Sequence, residues 1–150
     1  MAGLGAALAR ACPLPLDEPL LLYLSGELGA GKTTLARGLL AAAGVAGPVR
    51  SPSYALIEVY RLARLTIVHA DLYRLGGPEE LEPLGLRELH APGHLWIVEW
   101  PERAVGALPD CDLQLELSIE AAAHPVRLAG GGPRGAAWYA AALELVRVSH

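Results

Sequence analysis

One lysine stands in a chain whose other basic side chains are all arginine, and three glycines precede it: Gly26-Glu27-Leu28-Gly29-Ala30-Gly31-Lys32-Thr33. The spacing, a glycine, four residues, then Gly-Lys-Thr, is that of a phosphate-binding loop. Glycines let the backbone take positive φ and approach a ligand closely, so that successive N–H groups can point at phosphate oxygens. Lys32 would set a compact charge on the outer phosphates, and the Thr33 hydroxyl would offer magnesium an oxygen ligand. The chemistry predicted is nucleoside triphosphate binding. The competing reading is a glycine-rich turn ahead of an ordinary helix, and the flanks argue against it. An apolar run, Leu20 to Leu24, precedes the loop and a helical run, Leu35 to Ala43, follows it, giving strand, loop and helix in the required order. The helix adds the positive end of its dipole.

Two acids end apolar runs elsewhere. Leu65 to Ala70 leads into Asp71, and Leu95-Trp96-Ile97-Val98 leads into Glu99. In open α/β sheets ligands bind beyond the carboxyl ends of the strands, so both carboxylates are placed to face phosphates. Asp71 is a candidate magnesium or water-positioning group, against the plainer reading of an Asp that opens a turn. Glu99 is the candidate to hold hydrated magnesium. Trp100, next in the chain, could flank a ligand or cap the core.

The remaining chain must build the sheet that carries these groups. Leu4, Ala7, Leu8 and Ala11 fall at helical spacing, predicting a short amphipathic helix that ends before Pro13 and packs on the sheet. Leu20 to Leu24 reads as a buried central strand. Gly44 sits where the next helix would be capped, and Gly38 inside that helix predicts close packing against a strand. A turn-forming stretch, Gly47 to Tyr54, precedes a hairpin of Ala55 to Tyr60 with Leu65 to Ala70. Pro78-Glu79-Glu80-Leu81 begins a short helix that Pro83 and Gly85 limit. Leu113, Leu115 and Leu117 alternate with polar residues, and Val126 to Ala129 reads as their hairpin partner, extending the sheet with antiparallel strands. Gly130 to Pro133 is a turn, and Ala136 to Val148 a closing helix whose tryptophan and leucines pack inward.

The expectation is one domain over residues 1–150, of the α/β class: a three-layer P-loop NTPase fold with a mixed, mostly parallel sheet extended by antiparallel strands. Charged residues make up 19% of the chain and the net charge is −4, so broad nucleic-acid binding is not expected. Cys12 and Cys111 are too few and too far apart for a disulfide framework or zinc pattern, predicting two reduced, partly buried thiols. His90 and His94 flank Pro92 and Gly93 and read as loop histidines rather than ligands. No Lys or Arg precedes the apolar opening and no run approaches a membrane span, so a cytoplasmic protein is expected.

Guanine-specific switches carry an N-K-x-D motif, whereas this chain has no asparagine and its one lysine is in the loop, so ATP is the expected nucleotide. No arginine-bearing lid or acceptor pocket for a second substrate is evident between the strands. Hydrolysis, or a nucleotide-driven switch, is the chemistry left.

Four segments together resemble the TsaE (YjeE) family, the bacterial ATPase of tRNA threonylcarbamoyladenosine (t6A) biosynthesis. They are Gly26 to Thr34, Ser51-Pro52-Ser53-Tyr54, His69-Ala70-Asp71-Leu72-Tyr73-Arg74-Leu75 and Val98-Glu99-Trp100-Pro101-Glu102. Pro78 to Leu81 also matches; beyond about Leu108 only the overall plan does. The phosphate loop is shared widely, and the His-x-Asp-Leu-Tyr-Arg and Glu-Trp-Pro elements are the specific part. The resemblance implies ATP binding by Glu27, Leu28, Gly29, Ala30, Gly31, Lys32, Thr33 and Thr34, and magnesium held by Thr33 and Glu99. It implies catalytic roles for Lys32, Glu99 and Asp71, the last near the hydrolytic water, and a switch-like loop at Ser51, Pro52, Ser53 and Tyr54. Ser53 departs from the family's usual threonine, keeping the hydroxyl and losing a methyl. His69, Tyr73, Arg74 and Trp100 are further candidates in the matched segments.

The resemblance also implies partners. The family works with TsaB and TsaD, which transfer the threonylcarbamoyl group to adenosine 37 of tRNA, so tRNA is expected only indirectly, through them. An arginine supplied in trans adds about 10³ to 10⁵ in rate in related systems, so weak hydrolysis without partners is expected. Two alternatives stay open: a small-molecule kinase, and a module that senses ATP against ADP with hydrolysis incidental.

Overall fold

The computed structural model describes the chain except for Arg50, Ser53, Ala122, Ser149 and His150. Its ordered elements are α1 (Ala2–Arg10), β1 (Leu20–Gly26), α2 (Lys32–Ala43), β2 (Ile57–Arg61), β3 (Thr66–Asp71), α3 (Leu86–Leu89), β4 (His94–Glu99), β5 (Leu113–Leu117), β6 (Val126–Gly131) and α4 (Pro133–Val148). Short 3₁₀ segments lie at Pro78–Leu84 and Pro101–Ala104. The strands form one sheet in the order β2-β3-β4-β1-β5-β6.

The apolar strand Leu20 to Leu24 is buried throughout, because both of its faces are covered. Leu20, Leu22 and Leu24 pack with Leu8, Leu35, Leu39 and Trp138 beneath α1, α2 and α4. Leu21 and Tyr23 point the other way, toward Val68, Leu81, Leu86, Trp96 and Ala104 under the short helical segments. This period-2 division gives the expected three layers. Cys12 and Cys111 are half-buried free thiols; burial pushes Cys12 up to about 11 and Cys111 in the same direction.

Several expectations are corrected. β5 runs parallel to β1, with Leu22 beside Leu113 and Leu24 beside Leu115, so only the edge strands β2 and β6 are antiparallel. Alternation reveals which face of a strand is buried and is silent about its direction. The first helix packs over the sheet as expected, with Leu8 among the β1 leucines, and also lies against α2 and α4; Gly38 meets that helix rather than a strand. A Cβ on Gly38 would run into the Ala2 carbonyl, and one on Gly5 into the Leu35 carbonyl, so the two helix backbones touch where side chains are missing. In α4, Trp138 is buried and its indole N–H donates to the Leu8 carbonyl at 2.9 Å, whereas Leu143 and Leu145 are exposed. The helix also starts earlier than expected, with Pro133 at its first position, where a missing N–H costs nothing.

Gly44 caps α2 as expected, in the left-handed conformation at φ 112°, with Val45 N–H returning to the Leu40 carbonyl at 3.0 Å. The α1–α2 contact is the more demanding use of glycine. Gly5→Ala and Gly38→Ala should each destabilise the fold by about 1–3 kcal/mol, the usual cost of overpacking. In thermal melts this reads as about 2–4 °C per kcal/mol for a chain of this size. Gly3→Ala, with nothing within 4 Å of its Cβ position, is the control and should not lower the melting temperature.

Candidate functional site

The loop between β1 and α2 takes the shape its glycines permit. Gly26, Gly29 and Gly31 have φ of 135°, 83° and 109°, a region closed to most side chains. Gly26 is constrained twice, since a Cβ there would also strike the Leu117 carbonyl on β5. The turn closes through Ala30 N–H to the Glu27 carbonyl at 3.1 Å, and α2 opens with Leu35 N–H to the Gly31 carbonyl at 2.9 Å. The first N–H groups of α2 are therefore free of intrahelical partners at the loop. The β5–β6 connection braces the loop from the side: Ile119 N–H donates to Glu27 Oε1 at 3.2 Å, and His124 Nδ1 lies 3.4 Å from the Ala30 carbonyl.

Lys32 is buried, and its ammonium donates to the carbonyls of the loop itself, to Gly26 and, at 2.8 Å, to Glu27. It also lies 4.2 Å from the centroid of the Trp100 ring, a cation–π contact. Burial lowers the pKa of Lys32; the nearby carboxylates, Glu99 first and then Glu102, Asp71 and Glu27, oppose that shift.

Parallel pairing brings the two predicted acids together, with Asp71 of β3 directly beside Glu99 of β4. Asp71 is 6% exposed and Glu99 1%, so neither carboxylate is solvated and each is held by donors. Thr33 Oγ1 donates to Glu99 Oε1 at 2.8 Å, and His69 Nε2 lies 2.7 Å from Glu99 Oε2. Asp71 accepts the Ser51 hydroxyl at Oδ2 and the Tyr73 N–H at Oδ1, the latter at 3.1 Å. Asp71 thus opens a turn and faces the loop at once, so the two readings of this residue are not exclusive.

Leu28, Gly29, Gly31, Lys32, Thr33, Thr34, Ser51, Asp71, Tyr73, Arg74, Glu99 and Trp100 line one cavity of about 320 Å³. Most of the predicted site is therefore contiguous. Glu27 turns its carboxylate to Ile119, Ala30 is buried, and His69 lies behind Glu99. Pro52 is buried and Tyr54 is 86% exposed, its ring under the Arg74 guanidinium at 4.6 Å; Ser53 lies outside the described residues. Trp100 adopts φ 61°, a left-handed conformation unusual for a large side chain, and its ring stands 5.0 Å from that of Tyr73. Arg103 lies 5.4 Å from the Tyr73 ring and 5.7 Å from that of Trp100. Sequence reasoning missed Arg103, since a lone arginine in a short turn carries no signal. It also missed the bracing by Ile119 and His124, which depends on backbone groups. His90 stands edge-on to Trp96, and His94 Nδ1 meets the Pro92 carbonyl at 3.0 Å, so the two histidines serve separate contacts. A larger cavity of about 610 Å³, between Pro78–Glu88 and Gly106–Pro109, contains none of the loop residues.

Among the described residues no helix is long and apolar enough to cross a membrane. A family model described as "Threonylcarbamoyl adenosine biosynthesis protein TsaE" matches residues 1–127. The chain is 42% identical over 115 residues to the tRNA threonylcarbamoyladenosine biosynthesis protein TsaE of Haemophilus influenzae, covering 77% of this chain and 73% of that protein. It is 43% identical over 100 residues to the protein of the same name from Streptomyces coelicolor, covering 65% and 67%. The crystal structure of Bacillus subtilis YdiB superposes with a TM-score of 0.66 at 27% identity, over 99% of this chain and 89% of that one. With its P-loop NTPase-like sheet and a match over most of its length, this chain belongs to the TsaE family of tRNA threonylcarbamoyladenosine biosynthesis proteins.

Proposed function

We propose that the chain binds ATP with magnesium in the cavity beside Lys32 and hydrolyses it in support of TsaB and TsaD partner proteins, which modify adenosine 37 of tRNA. The observation that carries this reading is the bond from Thr33 at the end of the glycine loop to Glu99, with Asp71 next to Glu99 in register. The net charge of −4 favours partners over the chain itself as the grip on tRNA.

The donor set suits magnesium. The Thr33 hydroxyl and Glu99 carboxylate are hard oxygen donors 2.8 Å apart, and magnesium takes few protein ligands while keeping water and phosphate oxygens. Among the described residues no cluster of three or more His, Cys, Asp or Glu forms a closed metal cage. When bound, magnesium offsets charge on the transferring phosphate oxygens.

The side chains divide the remaining work. Loop N–H groups and the α2 terminus bind the phosphates, and Lys32 exchanges two neutral carbonyls for anionic oxygens, which strengthens its bonds. Asp71, held by Ser51 and Tyr73, orients a water for attack on the terminal phosphorus. A new P–O bond forms to that water, the P–O bond to the ADP oxygen breaks, and the proton of the water passes to Asp71 or to solvent.

The Ser51–Asp71 bond also favours a second reading, in which the Ser51 loop reports nucleotide state to a partner and hydrolysis is incidental. The wild-type protein with a non-hydrolysable ATP analogue, which leaves the Ser51–Asp71 bond in place, separates the two. Under the sensing reading the protein with that analogue still supports t6A formation; under the first it does not.

Lys32→Ala is expected to weaken ATP binding by about 10- to 150-fold, the loss of a charge-assisted bond of about 1.5–3 kcal/mol, measured by equilibrium titration. Unchanged affinity removes Lys32 from the site. Asp71→Asn keeps shape and loses charge, so hydrolysis should fall more than binding; equal losses make Asp71 a binding or folding residue. ATP turnover measured alone and with TsaB and TsaD is expected to rise with the partners. Robust turnover that ignores them points to an independent ATPase or kinase.

A further inference from the structure

We propose that His69 is a positioning residue that fixes the Glu99 carboxylate for magnesium; this rests on the reading of Thr33 and Glu99 as the metal site. His69 is fully buried, two residues before Asp71 on the same face of β3. Its Nε2 lies 2.7 Å from Glu99 Oε2, and a carboxylate only accepts, so Nε2 carries the proton. The other ring nitrogen, Nδ1, has no hydrogen-bond partner among the described residues.

A buried polar atom without a partner is costly, so what keeps histidine at this place is its other nitrogen, which satisfies the buried Glu99 carboxylate. What histidine adds here is a single N–H aimed at Oε2. That donor and the Thr33 hydroxyl hold opposite oxygens of one carboxylate, one from β3 and one from α2. Turning the carboxylate about its last bond would break both contacts. The plane of the Glu99 carboxylate is thereby fixed with one oxygen at Thr33, beside the hydroxyl with which it would share a magnesium ion. Partners that orient a metal ligand in this way commonly matter by 10- to 100-fold in metal affinity.

The test compares His69→Gln with His69→Asn. Gln can present an N–H near the position of Nε2; Asn carries the same amide one methylene short of Glu99. Affinity for a fluorescent ATP analogue is titrated in EDTA and across magnesium concentrations, with thermal melts run in parallel. The wild type and His69→Gln should show similar strengthening by magnesium. His69→Asn should need about 10-fold or more magnesium for the same effect, with EDTA affinity unchanged. Wild-type magnesium dependence in His69→Asn overturns the proposal, as does an equal loss of affinity in EDTA and in magnesium, which marks a packing role. If His69→Asn fails to fold, His69→Leu takes its place: a weaker response to magnesium by about 10-fold or more beside a wild-type response in His69→Gln supports the proposal, and a wild-type response in His69→Leu overturns it. A wild-type protein that binds the analogue but ignores magnesium overturns the metal site and the His69 role together, whereas wild-type coupling that survives in both variants overturns only the latter.

Discussion

Parallel pairing of β1, β4 and β3 is the constraint on which the site depends. It sets Leu24 beside Glu99 and Glu99 beside Asp71, so that three strands end along one edge of the sheet. The chain leaves β1 into the glycine loop at that same edge. Residues far apart in sequence, Thr33, Asp71 and Glu99, are brought together by backbone hydrogen bonds that involve none of their side chains. Since a one-residue slip turns every side chain of a strand to the opposite face, the fully apolar faces of β1 and β4 alone do not secure the acids; the strand ends and register do.

The edge is also where the fold spends stability. Lys32, His69, Asp71 and Glu99 are all buried, a costly grouping unless each finds a partner. The partners are local and specific: loop carbonyls for Lys32, Thr33 and His69 for Glu99, Ser51 and Tyr73 for Asp71. At this edge the residual cost falls on the left-handed backbone of Trp100, a conformation that Leu56 and Ala121 also take elsewhere in the chain, and on His69 Nδ1. Both lie in or next to the site, whereas the leucine faces of β1 are free of such conflict, as expected where function rather than folding sets the residue.

Much of this was legible in sequence because it follows from local rules. A glycine loop between an apolar strand and a helix has few other interpretations, and the acids that close β3 and β4 announce themselves by ending apolar runs. What was not legible depends on which elements meet. The Gly5–Leu35 and Gly38–Ala2 approaches arise between two helices whose mutual packing leaves no periodic trace, and the direction of β5 cannot be read from alternation. Leu143 and Leu145 show the limit of composition, since Trp138 and Ala142 already fill the space under α4. His69 and Glu99 sit in separate motifs, and nothing in either one discloses their hydrogen bond.

The internal partners of Lys32 and Asp71 bear on how such a site would cycle. Both side chains are already engaged by the protein, Lys32 by its own loop and Asp71 by the Ser51 loop. Binding then becomes an exchange of contacts rather than a simple gain, which limits net affinity and makes the position of the Ser51 loop part of the reaction. A partner that shifts that loop would change how Asp71 is held toward the water without touching the nucleotide. In this scheme the Ser51 hydroxyl is the contact through which such a shift would reach Asp71, and the exposed Tyr54, whose ring meets the Arg74 guanidinium, lies three residues further on.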